Sequence, residues 1–273
     1  MTKGSQPLVS VIIPAYNAQD YLAESVDSML GQTYKNIEVI IIDDKSKDDT
    51  AKIGSYYAKK DKRVKFVKNK TNLGIGGNRS KGIELAEGKY ICWQDADDIS
   101  TPNRIKLQVA ILEKYPKVGV VGGWLKFFSS RGDGVVRKYS ANDKELRSKI
   151  FMYNPVAQPA SMFKAECFKK VGGYSKKYKV SEDLEMLFRV GEAYEFSNVQ
   201  EVVLKYRQSD TSLTATKLRD MEKTTLKIRD CYKNSPSYSY TFADAVYNSA
   251  QRLSMYMPTR LRMFVFKIIR GDS

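Results

Sequence analysis

Asp95, Asp97 and Asp98 put three carboxylates into four positions, directly after the apolar run KYICW and before STP. Such neighbours repel one another unless donors, protons or a cation intervene. Two chemistries suit them. As turn formers they would accept N–H groups of the next element. As oxygen ligands they would hold Mg²⁺ or Mn²⁺, which completes its shell with water and substrate phosphates. Asp43 and Asp44 repeat the situation after IEVIII. They read either as a capped turn ahead of a helix starting near Asp48 or Asp49, or as acceptors for the N–H or hydroxyls of a nucleoside. Asp183 opens SEDLEMLFR, where Leu184, Leu187 and Phe188 are apolar, so an acid stands at a helix start beside core. There it can complement the helix dipole or serve as a base; the helix start lowers its pKa and burial raises it. The chain has no histidine. Acid–base work therefore falls to carboxylates, Lys, Tyr or Cys.

The elements that must position these residues alternate regularly. Residues 8–13, LVSVII, read as a buried strand, and NAQDYLAESVDSMLGQ as a helix with Leu22, Val26, Met29 and Leu30 on one face, capped by Asn17 and ended by Gly31. A strand over 37–43, an acidic turn and a helix through Ile53 and Tyr57 follow. RVKFVK is a third strand, NKTNLGIGGNRSKGIELAEG a glycine-rich loop entering a helix, and KYICWQ a fourth strand. This order predicts parallel strands with right-handed crossovers. Such sheets bind ligands beyond their carboxyl ends, here residues 14–17, 43–44, 69–77 and 95–98. GIGGNRSKG is not a dinucleotide fingerprint: Arg79 stands at the third glycine position, and five residues separate Lys68 from Gly74. Arg79 is left to serve the loop or a phosphate.

Thr101 and Pro102 suit the start of the helix NRIKLQVAILEKYP. VGVVGGWLKFFSSRGDGVVRKY reads as a strand and hairpin with GDG at its turn, followed by a helix over 144–151, NPVAQPASMF and two further helices. The main body ends near Asp210. Residues 211–273 form a basic helical extension with 11 Lys and Arg against 5 Asp and Glu. Its last piece, PTRLRMFVFKIIRG, places Leu261, Phe264, Val265 and Ile268 on one stripe, with Arg260, Arg262, Lys267 and Arg270 around it.

The net charge is +15, from 46 Lys and Arg against 31 Asp and Glu. Scattered lysines without a reader motif argue against nucleic acid. The basic stripe and KKDKRVKFVKNK suggest an anionic membrane surface, the alternative being that the stripe packs on the protein or on a second subunit. No window approaches eighteen consecutive apolar residues and MTKGSQPLVSVIIP is no secretory leader, which argues against a spanning helix or export. Cys92, Cys167 and Cys231 are far apart and unpaired by spacing. A reducing, cytoplasmic setting follows as the expectation.

Four blocks in order, VSVIIPAYNAQDYLAESVDSMLGQTYKNIEVIIIDDKSKDDT, NLGIGGNRSKGIELAEGKYICWQDADDISTPNRI, NPVAQPASMF and SEDLEMLFR, resemble the signatures of family 2 glycosyltransferases. That resemblance implies an α/β GT-A fold, a Rossmann-like, mostly parallel central sheet flanked by helices. The catalytic domain would span 1–210, with a nucleotide-binding half to about 100 and an acceptor half beyond, and 211–273 would be the C-terminal helical extension. It implies an inverting, metal-dependent transfer from a nucleotide-sugar, usually a UDP-sugar, to a saccharide or lipid-linked hydroxyl in bacterial polysaccharide or glycolipid assembly. The enzyme would be peripheral on the inner face of the cell membrane, with an oligomer allowed. Pro14, Ala15, Tyr16 and Asp44 would hold base and ribose, with Asn72 and Arg79 near the nucleotide. Asp95, Ala96 and Asp97 match the family's DxD motif: Asp95 faces the ribose, sugar or metal, Asp97 ligates Mn²⁺ or Mg²⁺, and Asp98 belongs to the turn. Asp183 matches the catalytic base. Where the family often carries a histidine before proline, this chain has Gln158, so that contact does not transfer. A sugar-nucleotide-forming nucleotidyltransferase, or a non-catalytic binding or scaffold subunit, would be the rival reading. The first would want a Gly-rich basic loop after the first strand, which PAYNAQD is not.

Overall fold

The computed structural model describes residues 6–130, 132–208 and 217–257. Its first half alternates β1 (Val9–Ala15), α1 (Leu22–Leu30), β2 (Ile37–Asp43), α2 (Thr50–Lys60), β3 (Val64–Lys68), α3 (Gly74–Leu85) and β4 (Tyr90–Trp93). These four strands pair in parallel. Every residue of β1 and β2 is buried, as expected of central strands covered on both faces. Alternate side chains serve two cores: Val11, Ile13, Val39 and Ile41 pack with Leu22, Val26 and Met29, whereas Ile12, Ile40, Ile42 and Trp93 pack with Leu184 and Leu187.

The second half contributes β5 (Ile99–Ser100), α4 (Arg104–Lys114), β6 (Val118–Ser129), β7 (Gly132–Arg137), α5 (Asp143–Lys149), a 3-10 turn at Gln158–Ala160, β8 (Met162–Lys164), α6 (Ala165–Val171), α7 (Glu182–Gly191) and β9 (Glu195–Arg207). The sheet runs β3-β2-β1-β4-β8-β6-β9-β5, with β7 paired to β6. β8 is antiparallel to β4 and β6, while β6 and β9 run parallel, so mixed pairing begins where the first half ends. The long β9, which carries no clear alternation in sequence, returns its carboxyl end to β5 beside the Asp95–Asp98 turn.

Several local expectations change. Asn17 does not cap α1; it has φ 50° and accepts the Lys47 N–H at 2.9 Å, because the β1 loop is cross-bonded to the β2 loop instead. The glycine-rich stretch is the first turn of α3 and not a loop, since that helix starts at Gly74. Thr101 gives its hydroxyl to the Val203 carbonyl at 3.3 Å, and α4 starts after Asn103 with no side-chain cap. GDG is not the hairpin's turn, because Gly132 already pairs with Ser129 and Asp133 with Phe128.

Helix α3 lies close on the sheet. A β-carbon at Gly82 would sit 2.4 Å from Ile12 Cγ2 and 3.2 Å from Ile42 Cδ1. Gly82→Ala is therefore expected to lower stability by about 1–3 kcal/mol, from overpacking outweighing the better helix propensity of alanine. A urea midpoint equal to wild type would show that α3 can lift freely.

Two more helices, α8 (Leu218–Tyr232) and α9 (Phe242–Ser254), follow. α8 packs on α7, and Thr225 donates to Ser181 Oγ at 3.1 Å, which itself donates to the Met221 carbonyl at 3.3 Å. α9 begins with a reciprocal capping box between Thr241 and Asp244. The stripe expected over 261–268 lies outside the described residues.

Candidate active site

The carboxyl ends of β1, β2 and β4 and the start of α3 meet at one edge of the sheet. The Asp43 and Asp44 pair differs between its members. Asp44 accepts the Leu73 N–H at 2.8 Å and the Gly74 N–H at 2.9 Å through its two oxygens, and the Asn69 amide at 2.9 Å. Its carboxylate thus satisfies orphan donors at the entry to α3. Asn72 reinforces the same loop, donating to the Asp44 carbonyl at 3.1 Å and accepting the Gly74 N–H. Asp43 accepts the Ser46 N–H through Oδ1, while its buried Oδ2 has no partner among the described residues. Pro14 and Ala15 close β1, and the Tyr16 ring beyond them is half exposed.

At the end of β4, the acidic turn is held by its main chain, which leaves carboxylate oxygens free. Ser25 donates to the Asp95 carbonyl at 2.9 Å, Gln94 to the Asp98 carbonyl at 2.7 Å, and Arg207 Nε to the Asp97 carbonyl at 2.8 Å. Ala96 is buried between them. Asp98 is fully buried and accepts the Arg207 N–H at 2.8 Å through Oδ1, leaving Oδ2 without a partner among the described residues. The Arg207 guanidinium also bonds Glu24 and lies 4.3 Å from the centre of the Tyr21 ring and 4.4 Å from that of Phe128. Burial, then the charge of Asp95, pushes the Asp97 carboxyl up to about 6, with Arg207 pulling it back. The same causes raise Asp98 well above the ordinary range.

Arg79, on the second turn of α3, joins this turn to the other half of the molecule. Its guanidinium bonds Glu182 at 2.6 Å and approaches Asp95 at 3.4 Å, between the rings of Trp93 and Tyr174 at 5.8 and 5.7 Å. Arg79 and Glu182 side chains are only 7 % and 4 % exposed, so the pair is held away from water. Burial pushes the Glu182 carboxyl up and Arg79 opposes it. Gln158 donates to Tyr174 Oη at 2.6 Å and so braces the ring beside Arg79.

Asp183 follows on the first turn of α7, after Ser181 at φ 58°. The Asn154 amide donates to its Oδ2 at 2.8 Å. Burial first, with a further push from Asp95, raises the Asp183 carboxyl against the pull of Arg79. A carboxylate held this way is oriented by one donor and made more basic by its surroundings, which is what a general base needs. The structure thus gathers Asp95, Asp97, Arg79 and Asp183 around one network, with Pro14, Ala15, Tyr16 and Asn72 along the adjoining edge. Glu182, Asn154, Tyr174 and Arg207 enter it without having been singled out. Adjacency to Asp183 could have drawn attention to Glu182; Arg207 lies 110 residues from Asp97 and carries no local signal.

Among the described residues, no three His, Cys, Asp or Glu side chains converge as a ready metal cage. Asp95 and Asp97 still suit a cation. Asp95 raises the cost of charge on Asp97, Asp97 makes no ion pair with a described residue, and Mg²⁺ or Mn²⁺ needs only one or two carboxylates beside phosphate and water.

Comparison with known proteins agrees with this geometry. The family model for glycosyl transferase family 2 matches residues 10–172. An uncharacterized glycosyltransferase of Methanocaldococcus jannaschii is 33 % identical over 208 residues, covering 74 % of this chain and 71 % of that one. Among solved structures, S. aureus TarS 1-349 in complex with UDP-GlcNAc superposes with a TM-score of 0.69 at 21 % identity, covering 95 % of this chain and 76 % of that one. The mannosyltransferase PcManGT of Pyrobaculum calidifontis, in complex with GDP-Man and Mn²⁺, gives 0.65 at 16 % identity over 98 % and 85 %. The fold is accordingly GT-A, a mixed α/β body around a mostly parallel sheet. With the family model covering more than half of its length, the chain belongs to glycosyl transferase family 2.

Proposed function

We propose that this glycosyltransferase moves a sugar from a UDP-sugar to a hydroxyl of a saccharide or lipid-linked acceptor, inverting the anomeric centre. The carrying observation is the Arg79 bridge, which sets the acidic turn of β4 and the base candidate of α7 on either side of one guanidinium. Pro14, Ala15 and Tyr16, with the loop that Asp44 braces at Asn72, receive the base and ribose. Asp97 and Asp95 are the residues that would hold Mn²⁺ or Mg²⁺, which would supply positive charge against that developing on the departing diphosphate. Asp183 takes the proton of the acceptor hydroxyl as that oxygen attacks. A single displacement of this kind converts an α-linked donor into a β-linked product. The neighbours' complexes with UDP-GlcNAc and with GDP-Man and Mn²⁺ support this reading by likeness of fold. The catalytic unit is taken as 1–210, placed at the inner face of a bacterial cell membrane, with 211–273 as its extension.

Incubation with a panel of nucleotide sugars should release free nucleotide from one of them, dependent on a divalent cation. Asp97→Ala should weaken Mn²⁺-dependent UDP binding by about tenfold or more in calorimetric titration, as expected for the loss of a direct ligand. A wild-type titration curve in that variant would remove Asp97 as a ligand.

A further inference from the structure

Helix α9 is amphipathic the wrong way round for a helix at rest on a protein. It buries Asp244, Asn248, Gln251 and Ser254, whereas Phe242 is 85 % exposed, Leu253 70 % and Val246 52 %. A surface helix ordinarily turns its apolar stripe inward. The inversion has a local cause: Arg229 of α8 is buried and donates to Asn248 Oδ1 at 3.0 Å and Gln251 Oε1 at 2.9 Å, so the polar face is the one that fits. The apolar residues follow helical spacing, at 242, 246, 250 and 253, and the exposed Tyr256 and Met257 extend them. A contiguous outward apolar stripe of this kind marks a contact surface.

We infer that the outer face of α9 docks the enzyme onto an anionic lipid leaflet, its apolar stripe entering the headgroup boundary. Charge selects this occupant. Every acidic side chain of α9 is turned inward, since Asp244 is buried. The sixteen residues that follow Met257 carry Arg260, Arg262, Lys267 and Arg270 against Asp272 alone. Basic residues beside an apolar helix face add attraction to anionic lipid, each contributing near the surface. A second copy seated on α9 would instead bring together two chains of net charge +15, which like charges oppose.

Position supports the same partner. Asn248 donates to the Phe151 carbonyl at 3.2 Å, three residues before the Asn154 that orients Asp183. α8 reaches the same place from its other end through Ser181. The docking face is thus tied to the acceptor side of the site. This extends the lipid-linked acceptor reading by naming the surface that faces the lipid, and its test needs no turnover.

The full chain should sediment with vesicles of phosphatidylcholine plus phosphatidylglycerol and far less with phosphatidylcholine alone, and added salt should weaken it. Phe242→Ser/Leu253→Ser should lower partitioning about tenfold or more, because two exposed apolar anchors are removed. Nucleotide release with a soluble acceptor should match wild type. Vesicle binding without any transfer would sink the catalytic reading and leave the docking face standing. Four results would overturn it: no sedimentation of wild type, equal sedimentation of the variant, a wild-type dimer by light scattering that the variant dissolves, or a clearly lowered melting temperature in the variant. The third would assign α9 to a second copy, and the fourth to a segment of its own chain.

Discussion

Asp183→Asn should bind UDP within about twofold of wild type and lose transfer by about 10²–10⁴-fold, the range that a positioned base supplies. The amide keeps the shape and can still meet Asn154, so the helix start should survive the change. What disappears is the carboxylate proposed to take the acceptor proton, in a chain without histidine. The environment gives a second readout. Burial holds the Asp183 carboxyl above its ordinary range, so it is neutral and idle below that raised pKa and ionised above it. Transfer at saturating donor should therefore rise with pH through a midpoint above that of an exposed aspartate. Initial rates across pH, with single-turnover transfer for the variant, check both statements. Transfer within tenfold of wild type in the Asn variant would exclude Asp183 as the base.

The second large effect is on stability. Arg79→Met should destabilise the fold by about 3–5 kcal/mol, because it removes one partner of a buried pair and strands the other. Glu182 would then sit 4 % exposed with no cation, beside Asp183 and within reach of the Asp95 charge. Methionine fills most of the volume between Trp93 and Tyr174, so the loss would report charge more than cavity. Arg79→Met/Glu182→Leu should recover much of that stability, since an apolar pair of similar size is often as stable as a buried ion pair. Transfer should stay low in the double variant if the pair positions the site. Urea unfolding of the four proteins of this cycle measures the coupling. Additive effects of the two substitutions would mean that the 2.6 Å contact carries little energy.

The first half is legible in the sequence for a physical reason. Its central strands β1 and β2 are β-branched runs buried on both faces, and the chain breaks into polar residues where the sheet opens. That break locates the edge at Tyr16, Asp44 and Asp95 without any knowledge of a ligand. β9 is harder. Its thirteen residues place Gln200 and Glu201 in succession on the outside, and its register against β6 slips around Gly123 and Trp124, which destroys the period of two. Asp44 shows a different limit. A carboxylate before a helix can stabilise the chain or meet a ligand, and only the hydrogen bonds from Leu73 and Gly74 show how far it is committed to the chain. The same ambiguity separates Glu182 from Asp183. They are adjacent, yet one turns to Arg79 and the other to Asn154.

Arg207 reaches back over 110 residues to fasten the Asp97 carbonyl. During synthesis at ~5–20 residues per second, that gap is roughly 5–20 s. For that interval the nascent chain owns all four parallel strands and the acidic residues, but not the clasp that shapes their turn. A premature stop before residue 207 would therefore leave a product that lacks the clasp on the acidic turn. Functional maturity in this protein arrives with the last strand.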